Sequence, residues 1–187
     1  MISISLCMIV KDEEGTLERC LKSVQSVVDE IVIVDTGSAD RTKMIAAGFT
    51  NRIYDFVWIG DFSAARNASF EKATMDYILW LDADDIVLPN DAIKLRSLKE
   101  TLDPEIDAVT MRYNTGFDDV GNVVFSYGRE RLVKRSRGFR WKEPVHEYLE
   151  IAGKTLASDI CITHAKQKPR QSGRNILIYE KMLADGK

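Results

Sequence analysis

The stretch YILWLDADD (77–85) decides how this chain is read. Its first five residues are mostly apolar, the composition of a strand buried on both faces. They run directly into four positions of which three are carboxylates. In an open parallel sheet, ligands bind outside the carboxyl ends of the strands. A buried strand that ends in like charges therefore sets a repulsive cluster where a ligand would have to offset it.

Working outward, residues 3–10 form a continuous apolar run, read as a buried strand. The next segment places Leu17, Cys20, Leu21 and Val24 at helical spacing on one face. EIVIVD (30–35) reads as a second buried strand, and TGSADRT as a turn with Ser38 as cap of a short helix. RIYDFVW (52–58) is a weaker third strand. Residues 61–75 fit a helix, and DYILWLD (76–82) is the fourth strand. Strand alternating with helix in this way specifies an α/β fold with a mostly parallel sheet flanked by helices.

After Leu88-Pro89 a helix is expected to run to about Leu102. Beyond it the pattern changes to short strands, at AVTMRYNTG (108–116), NVVFSYG (122–128), ERLVKR (130–135), HEYLEI (146–151) and DICITH (159–164). Gly121-Asn122 is the clearest hairpin turn. This half is expected to extend the sheet in mixed or antiparallel fashion, and residues 172–187 to close the chain with a helix. No repeat or linker interrupts the sequence. The expected organisation is one domain over 1–187, in a parallel half (1–102) and a mixed half (103–187).

Composition excludes several classes. With 45% hydrophobic and 29% charged residues, the chain is an ordinary globular protein. A net charge of -3 offers no general attraction to nucleic acid or an anionic membrane. Cys7, Cys20 and Cys161 show no C-x-x-C spacing, which argues against a zinc site or a disulfide framework. The N-terminus lacks a basic region and a cleavage site, and no apolar run approaches the roughly 20 residues of a spanning helix. The expectation is a soluble, cytoplasmic protein without a transmembrane segment.

Three strands deliver acid to one edge: Lys11-Asp12-Glu13-Glu14, Asp35-Thr36-Gly37-Ser38 and Asp82-Ala83-Asp84-Asp85. No G-x-G-x-x-G follows the first strand, and GKT (153–155) fails as a phosphate loop because Tyr148 stands where its first glycine belongs. A phosphate ligand at this edge would meet carboxylates, and would be excluded unless a divalent cation lay between. Mg2+ and Mn2+ bind through one or two carboxylates plus substrate phosphates. Each cluster also has a plainer reading: Asp85 as a cap for the helix at Pro89, Asp35 as turn chemistry, KDEE as a solvated helix start.

The blocks LCMIVKDEEGTLERCLKSV, DEIVIVDTGSADRT, DFSAARNASFEKA and YILWLDADD, in this order over residues 5–85, resemble the family-2 glycosyltransferases of the GT-A fold. Bacterial cytosolic members are the most similar, including the branch that glycosylates cysteine in bacteriocin peptides. The resemblance implies a nucleotide-sugar donor, usually a UDP-sugar, with Mn2+ or Mg2+, the half 1–102 binding the nucleotide and the half 103–187 taking the acceptor and completing the metal site. Carried across, Val10, Lys11 and Glu13 line the base and ribose, and Asp35 accepts from the uracil imide. Arg66 lies beside the base and the acidic turn, Asp82 holds the ribose with Ala83 lining the same site, and Asp84 is the metal ligand. A carboxylate accepts well from an imide N–H or a ribose hydroxyl, and an arginine offsets surplus acid.

In the second half, VHE makes Glu147 the general base implied by the resemblance, with Asp118 and Asp119 as alternatives. His164, ending its strand, resembles the late histidine that completes the metal or diphosphate site. The stretch GRERLVKRSRGFRWK (128–142) is locally cationic. Arg131 or Arg135 is expected to meet the diphosphate and Trp141 to border the sugar or acceptor; the plainer reading is a solvated basic loop. The leading expectation is an inverting, metal-dependent transfer of sugar to an acceptor, whether peptide, glycan or lipid-linked sugar. The alternatives are a nucleotidyltransferase, which usually carries a glycine-rich basic loop where this chain has KDEEG, or a sugar-nucleotide-binding module without turnover.

Overall fold

The computed structural model describes residues 1–165 together with Ile176 and Ile178. The first half alternates as its pattern requires: β1 (Ile4–Val10), α1 (Leu17–Val24), β2 (Glu30–Asp35), α2 (Thr42–Ala47), β3 (Ile53–Asp55), α3 (Phe62–Lys72) and β4 (Tyr77–Trp80). A two-residue β5 (Asp85–Ile86) and α4 (Pro89–Thr101) follow, then β6 (Ala108–Phe117), β7 (Val123–Lys134), β8 (Trp141–Lys142), β9 (Tyr148–Leu149) and β10 (Thr155–His164).

One eight-stranded sheet runs β3-β2-β1-β4-β7-β6-β10-β5. β1 pairs in parallel with β2 and β4, and β2 with β3. β7 then joins β4 and β6 antiparallel, β10 lies parallel to β6, and β5 closes the edge antiparallel to β10. β8 and β9 pair separately.

Both faces of the parallel strands are covered. Ile4, Leu6, Met8 and Val10 face a core that takes in Leu17, Cys20, Leu21 and Val24 of α1 and Leu95 of α4. Cys7, Val32, Ile78 and Trp80 face the opposite way, toward Phe70 of α3 and Trp141. Alternate residues of one strand thus serve two cores, which explains why these strands read as unbroken apolar runs.

Several expectations change. The third strand shrinks to three residues at the sheet edge. NVVFSYG and ERLVKR fuse into β7, because Gly128 lets the strand pass Thr110, whose Cγ2 would lie 2.9 Å from an added Cβ. The hairpin turn stands at 118–122, with Asp118 accepting from the Val120 and Asn122 amides and Gly121 at φ +90°. HEYLEI keeps only Tyr148–Leu149, since Glu143 and His146 take positive φ and break the strand before it. Ser38 is no helix cap: its Oγ accepts from the Asp12 amide, and at the start of α2 the Thr42 amide donates to Asp40 Oδ1. The closing helix lies outside the described residues except for Ile176 and Ile178, which are helical. Among the described residues no helix is long and apolar enough to cross a membrane.

Candidate active site

Because β1, β2 and β4 are parallel, their carboxyl ends share a rim, and the acidic turns after them meet there. The turn 82–85 is closed by the Asp82 amide donating to Asp85 Oδ2 at 3.0 Å. α3 aims at this turn. Asp61 caps it by accepting from the Ala64 amide at 2.9 Å, and small residues Ala65 and Ser69 let the helix lie close on the sheet. The buried Arg66 then reaches two acids at once, donating Nη2 to Asp82 Oδ1 at 2.7 Å and Nε to Glu147 Oε1 at 2.8 Å. Its guanidinium sits 5.1 Å from the Trp80 ring and 4.8 Å from the Trp141 ring. Burial works against ionisation of Asp82, but Arg66, Arg131 and Arg129 outweigh it and hold this carboxyl well below the usual range.

A second cluster stands beside the first. Asp84, Asp85 and His164 offer ligand atoms that lie within 4.8 Å of one another. His164 is brought there because β10 pairs with β5, setting His164 opposite Asp85. Its Nδ1 lies 3.4 Å from Asp84 Oδ1 and 3.6 Å from Asp85 Oδ1. Hydrogen bonding to Asp84 and then Asp85 pushes the imidazole up to about 9, against a smaller opposing effect of burial. The two carboxylates therefore favour positive charge at this point, whether proton or metal. Asp85 is already satisfied by Arg131, Tyr113 and the Asp82 amide, which leaves Asp84 and His164 as the residues able to ligate. A carboxylate with an imidazole suits Mn2+, and the carboxylate suits Mg2+.

At the end of β2, Asp35 is 1% exposed. Its Oδ1 accepts from the Gly37 and Ser38 amides at 2.9 and 2.8 Å, so the turn reading of this residue holds. Its Oδ2, however, is buried and has no hydrogen-bond partner, and such an acceptor is costly unless a ligand satisfies it. The β1 end is tied alongside: the Val10 carbonyl accepts from the Thr36 amide at 2.9 Å, and the Glu13 amide donates to Thr42 Oγ1 at 2.7 Å. Lys11 is exposed beside Gly37, and Asp12 takes φ +53°. Ala83 turns its methyl into the core, so only its backbone can face the rim.

Three expected residues are placed otherwise. Arg131 is fully buried and spends Nη1 on Asp85 at 3.0 Å and the Trp80 carbonyl at 3.2 Å, so it supports the acidic turn from beneath instead of meeting a diphosphate. Arg135 lies at the opposite rim, with its amide on the Asp76 carbonyl and its side chain on the Met75 carbonyl. Trp141 is buried, edge-on to Trp80 at 4.8 Å and held by Asn67, and floors the site instead of bordering a ligand. The rest of the basic stretch disperses into pairs, Arg137 with Asp107 and Arg140 with Glu71. Asp85 is not a helix cap; it is the buried partner of Arg131. Asp118 is absorbed in the hairpin turn.

Sequence reasoning passed over Arg129, whose guanidinium lies 4.8 Å from the Trp80 ring and whose charge acts on Asp82. It also passed over Tyr113, which joins Asp85 to His164. Both guanidiniums lie over the Trp80 ring, although a bulge at Arg131 interrupts the alternation of the strand. Two surface cavities, one beside Ile78 and Phe139 and one beside Val28 and Phe49, share no residue with either cluster.

The chain matches the glycosyl transferase family 2 model over residues 5–161, which contain all four acidic and helical blocks. It is 41% identical over 151 residues to a TPR repeat-containing protein of Synechococcus elongatus, covering 80% of this chain and 36% of that one. It is 32% identical over 194 aligned positions to the SPbeta prophage-derived glycosyltransferase SunS of Bacillus subtilis, covering 97% of this chain and 45% of that one. The chain thus spans less than half the length of these curated relatives. Among solved structures, glucosyl-3-phosphoglycerate synthase of Mycobacterium tuberculosis, crystallised with Mn2+ and UDP-glucose, superposes with a TM-score of 0.63 at 15% identity. That likeness covers 98% of this chain and 78% of that one, and shows a shared fold.

Proposed function

We propose, from the premise that this chain belongs to glycosyl transferase family 2, that its acidic rim binds a nucleoside diphosphate sugar and carries out an inverting transfer to an acceptor. One observation carries this reading: Arg66 joins the acidic turn that bears the candidate metal ligand to Glu147, so a donor site and an acceptor-side base adjoin.

UDP is the favoured carrier, because the unsatisfied Oδ2 of Asp35 can accept from the imide N–H of uracil. Val10, Lys11 and Glu13 line the base, and Asp82 accepts from the ribose. Asp84 and His164 hold Mn2+ or Mg2+. A divalent cation there would supply positive charge to the diphosphate, and Arg129, whose charge reaches Asp82, would add to it.

With Oε1 of Glu147 engaged by Arg66, Oε2 is the oxygen that takes the acceptor's proton. The acceptor atom then bonds the anomeric carbon from the side opposite the diphosphate. The bond from that carbon to the diphosphate oxygen breaks, and its electron pair leaves with the nucleotide. Arg66 offsets the charge of Glu147 and fixes its position, so the base need not reorganise at the moment of reaction. The buried cysteines, Cys7 with its thiol pushed up by burial, fit a reducing compartment, so action in the cytoplasm is part of this proposal.

Calorimetric titration with UDP, with and without Mn2+, tests the reading, together with release of UDP from UDP-sugars. Metal-dependent binding that is lost in Asp84→Ala is expected. Glu147→Ala is expected to keep UDP affinity and lose turnover. Binding indifferent to metal, or full turnover in Glu147→Ala, would overturn the assignment.

A further inference from the structure

We infer that Asn67 is a positioning residue for Glu147: by gripping both backbone groups of Trp141 it holds in shape the short ribbon whose loop carries that acid. The inference rests on the reading of Glu147 as the base.

Glu147 stands on the connection between β8 and β9, which pair only through Trp141 with Leu149 and Lys142 with Tyr148. A two-stranded ribbon of this length is not stable alone. Its connection is also strained. Glu143 and His146 have φ +66° and +58°, a region that residues other than glycine hold only where their surroundings impose it. The ribbon therefore tends to leave the conformation that presents Glu147, and contacts from outside must oppose that tendency.

The opposing contacts come from one side of α3. Phe62, Arg66, Asn67 and Phe70 recur at helical spacing, and each meets the 141–147 segment. The Phe62 amide donates to the Pro144 carbonyl at 2.9 Å and Arg66 Nε to Glu147 Oε1 at 2.8 Å, while the Phe70 ring meets the Trp141 ring edge-on at 6.0 Å. Asn67 adds both halves of its amide. Its Nδ2 donates to the Trp141 carbonyl at 3.0 Å, and its Oδ1 accepts from the Trp141 amide at 2.9 Å. Both backbone groups of Trp141 thus face the helix, and Asn67 stands where a third strand would pair. A primary amide offers a donor and an acceptor side by side, which is what such an edge requires. Arg66 holds the acid itself; Asn67 acts on it through the backbone of the ribbon.

The test reads release of UDP from the UDP-sugar that the parent hydrolyses fastest. In Asn67→Ala, kcat is expected to fall roughly 10- to 100-fold for the loss of two neutral hydrogen bonds, while the UDP dissociation constant stays within about twofold. Amide exchange is expected to quicken over 141–149 and to stay unchanged in β1, β2 and β4. Adding Glu143→Gly, which takes positive φ without strain, is expected to raise kcat again by about threefold or more. An asparagine that only stabilised the fold would give neither the split between kcat and UDP affinity nor the rescue. Unchanged kcat in a folded Asn67→Ala protein, or a loss that Glu143→Gly leaves as it is, overturns the inference while the base reading stands. If Glu147→Ala turns over as fast as the parent, the base reading fails and the inference falls with it.

Discussion

Arg66 and Glu147 are 81 positions apart in the chain, yet Nε donates to Oε1 at 2.8 Å. α3 carries the arginine, and the loop after β8 carries the acid. The Phe62 amide donates to the Pro144 carbonyl at 2.9 Å, so the start of α3 and that loop are pinned together. The positive φ of Glu143 and His146 bends the loop on either side of this contact.

Arg66→Lys should test whether geometry or charge matters at this junction. A lysine keeps the charge but cannot offer two donors in a fixed fork to Asp82 and Glu147. Loss of one charge-assisted hydrogen bond, about 1.5–3 kcal/mol, corresponds to a fall in kcat/KM of roughly 10- to 150-fold. Steady-state kinetics with a UDP-sugar will check it, and a change under twofold would make the junction unimportant to turnover.

Asp35→Asn should separate the two oxygens of this side chain. The amide oxygen can keep the bonds from the Gly37 and Ser38 amides, while an NH2 replaces the buried, unsatisfied Oδ2. UDP affinity is expected to drop about tenfold or more, with relative preference moving toward CDP, whose ring nitrogen accepts where uracil donates. Equal UDP binding by the variant, measured calorimetrically, would remove Asp35 from base recognition.

Asp85→Ala should destabilise the fold, because it strands the buried Arg131 without its counter-charge. Breaking one side of such a pair costs about 3–5 kcal/mol. Combining it with Arg131→Met should recover much of that loss, since the arginine lies between the Trp80 and Tyr113 rings, where an apolar side chain also fits. Urea denaturation of the single and double variants decides between a pair that stabilises and one that only needs to be complete.

Glu30 should govern part of the acid unfolding, at the rim opposite the site. Burial acts to raise its pKa, but hydrogen bonds from Ser5 and Thr74 and the charge of Arg52 outweigh it and lower the value from 4.5. A carboxylate depressed in the folded state contributes stability that is complete above its ordinary value and is lost as pH falls through the folded one. Stability of the parent should therefore fall below about pH 4.5 more steeply than that of Glu30→Gln. Denaturation midpoints across that window will show it; parallel curves would contradict the assignment.

The parallel half of the sheet was legible because burial on both faces leaves a mark in every residue of β1, β2 and β4, and because Leu17, Cys20, Leu21 and Val24 repeat at helical spacing. The acidic rim followed from topology: parallel strands end at one edge, so Asp35 and Asp82–Asp85 had to meet there. The second half was less readable. β7 crosses Gly128 without breaking, and whether a glycine ends a strand depends on the neighbour it approaches, here Thr110.

Local sequence also determined the residue types available at the rim, and with them the chemistry of carboxylate, guanidinium and imidazole. It did not determine which cation serves which acid. Arg129, Arg131 and Arg135 are equivalent as basic residues of one segment, and only the pairing of β7 with β4 and β6 buries Arg131 under Asp85, leaves Arg129 near Asp82 and carries Arg135 to the far rim. Charge pairing acts over a few ångströms of space without regard to separation along the chain, so the partners of Arg66 and Asp85 were settled by the tertiary structure alone.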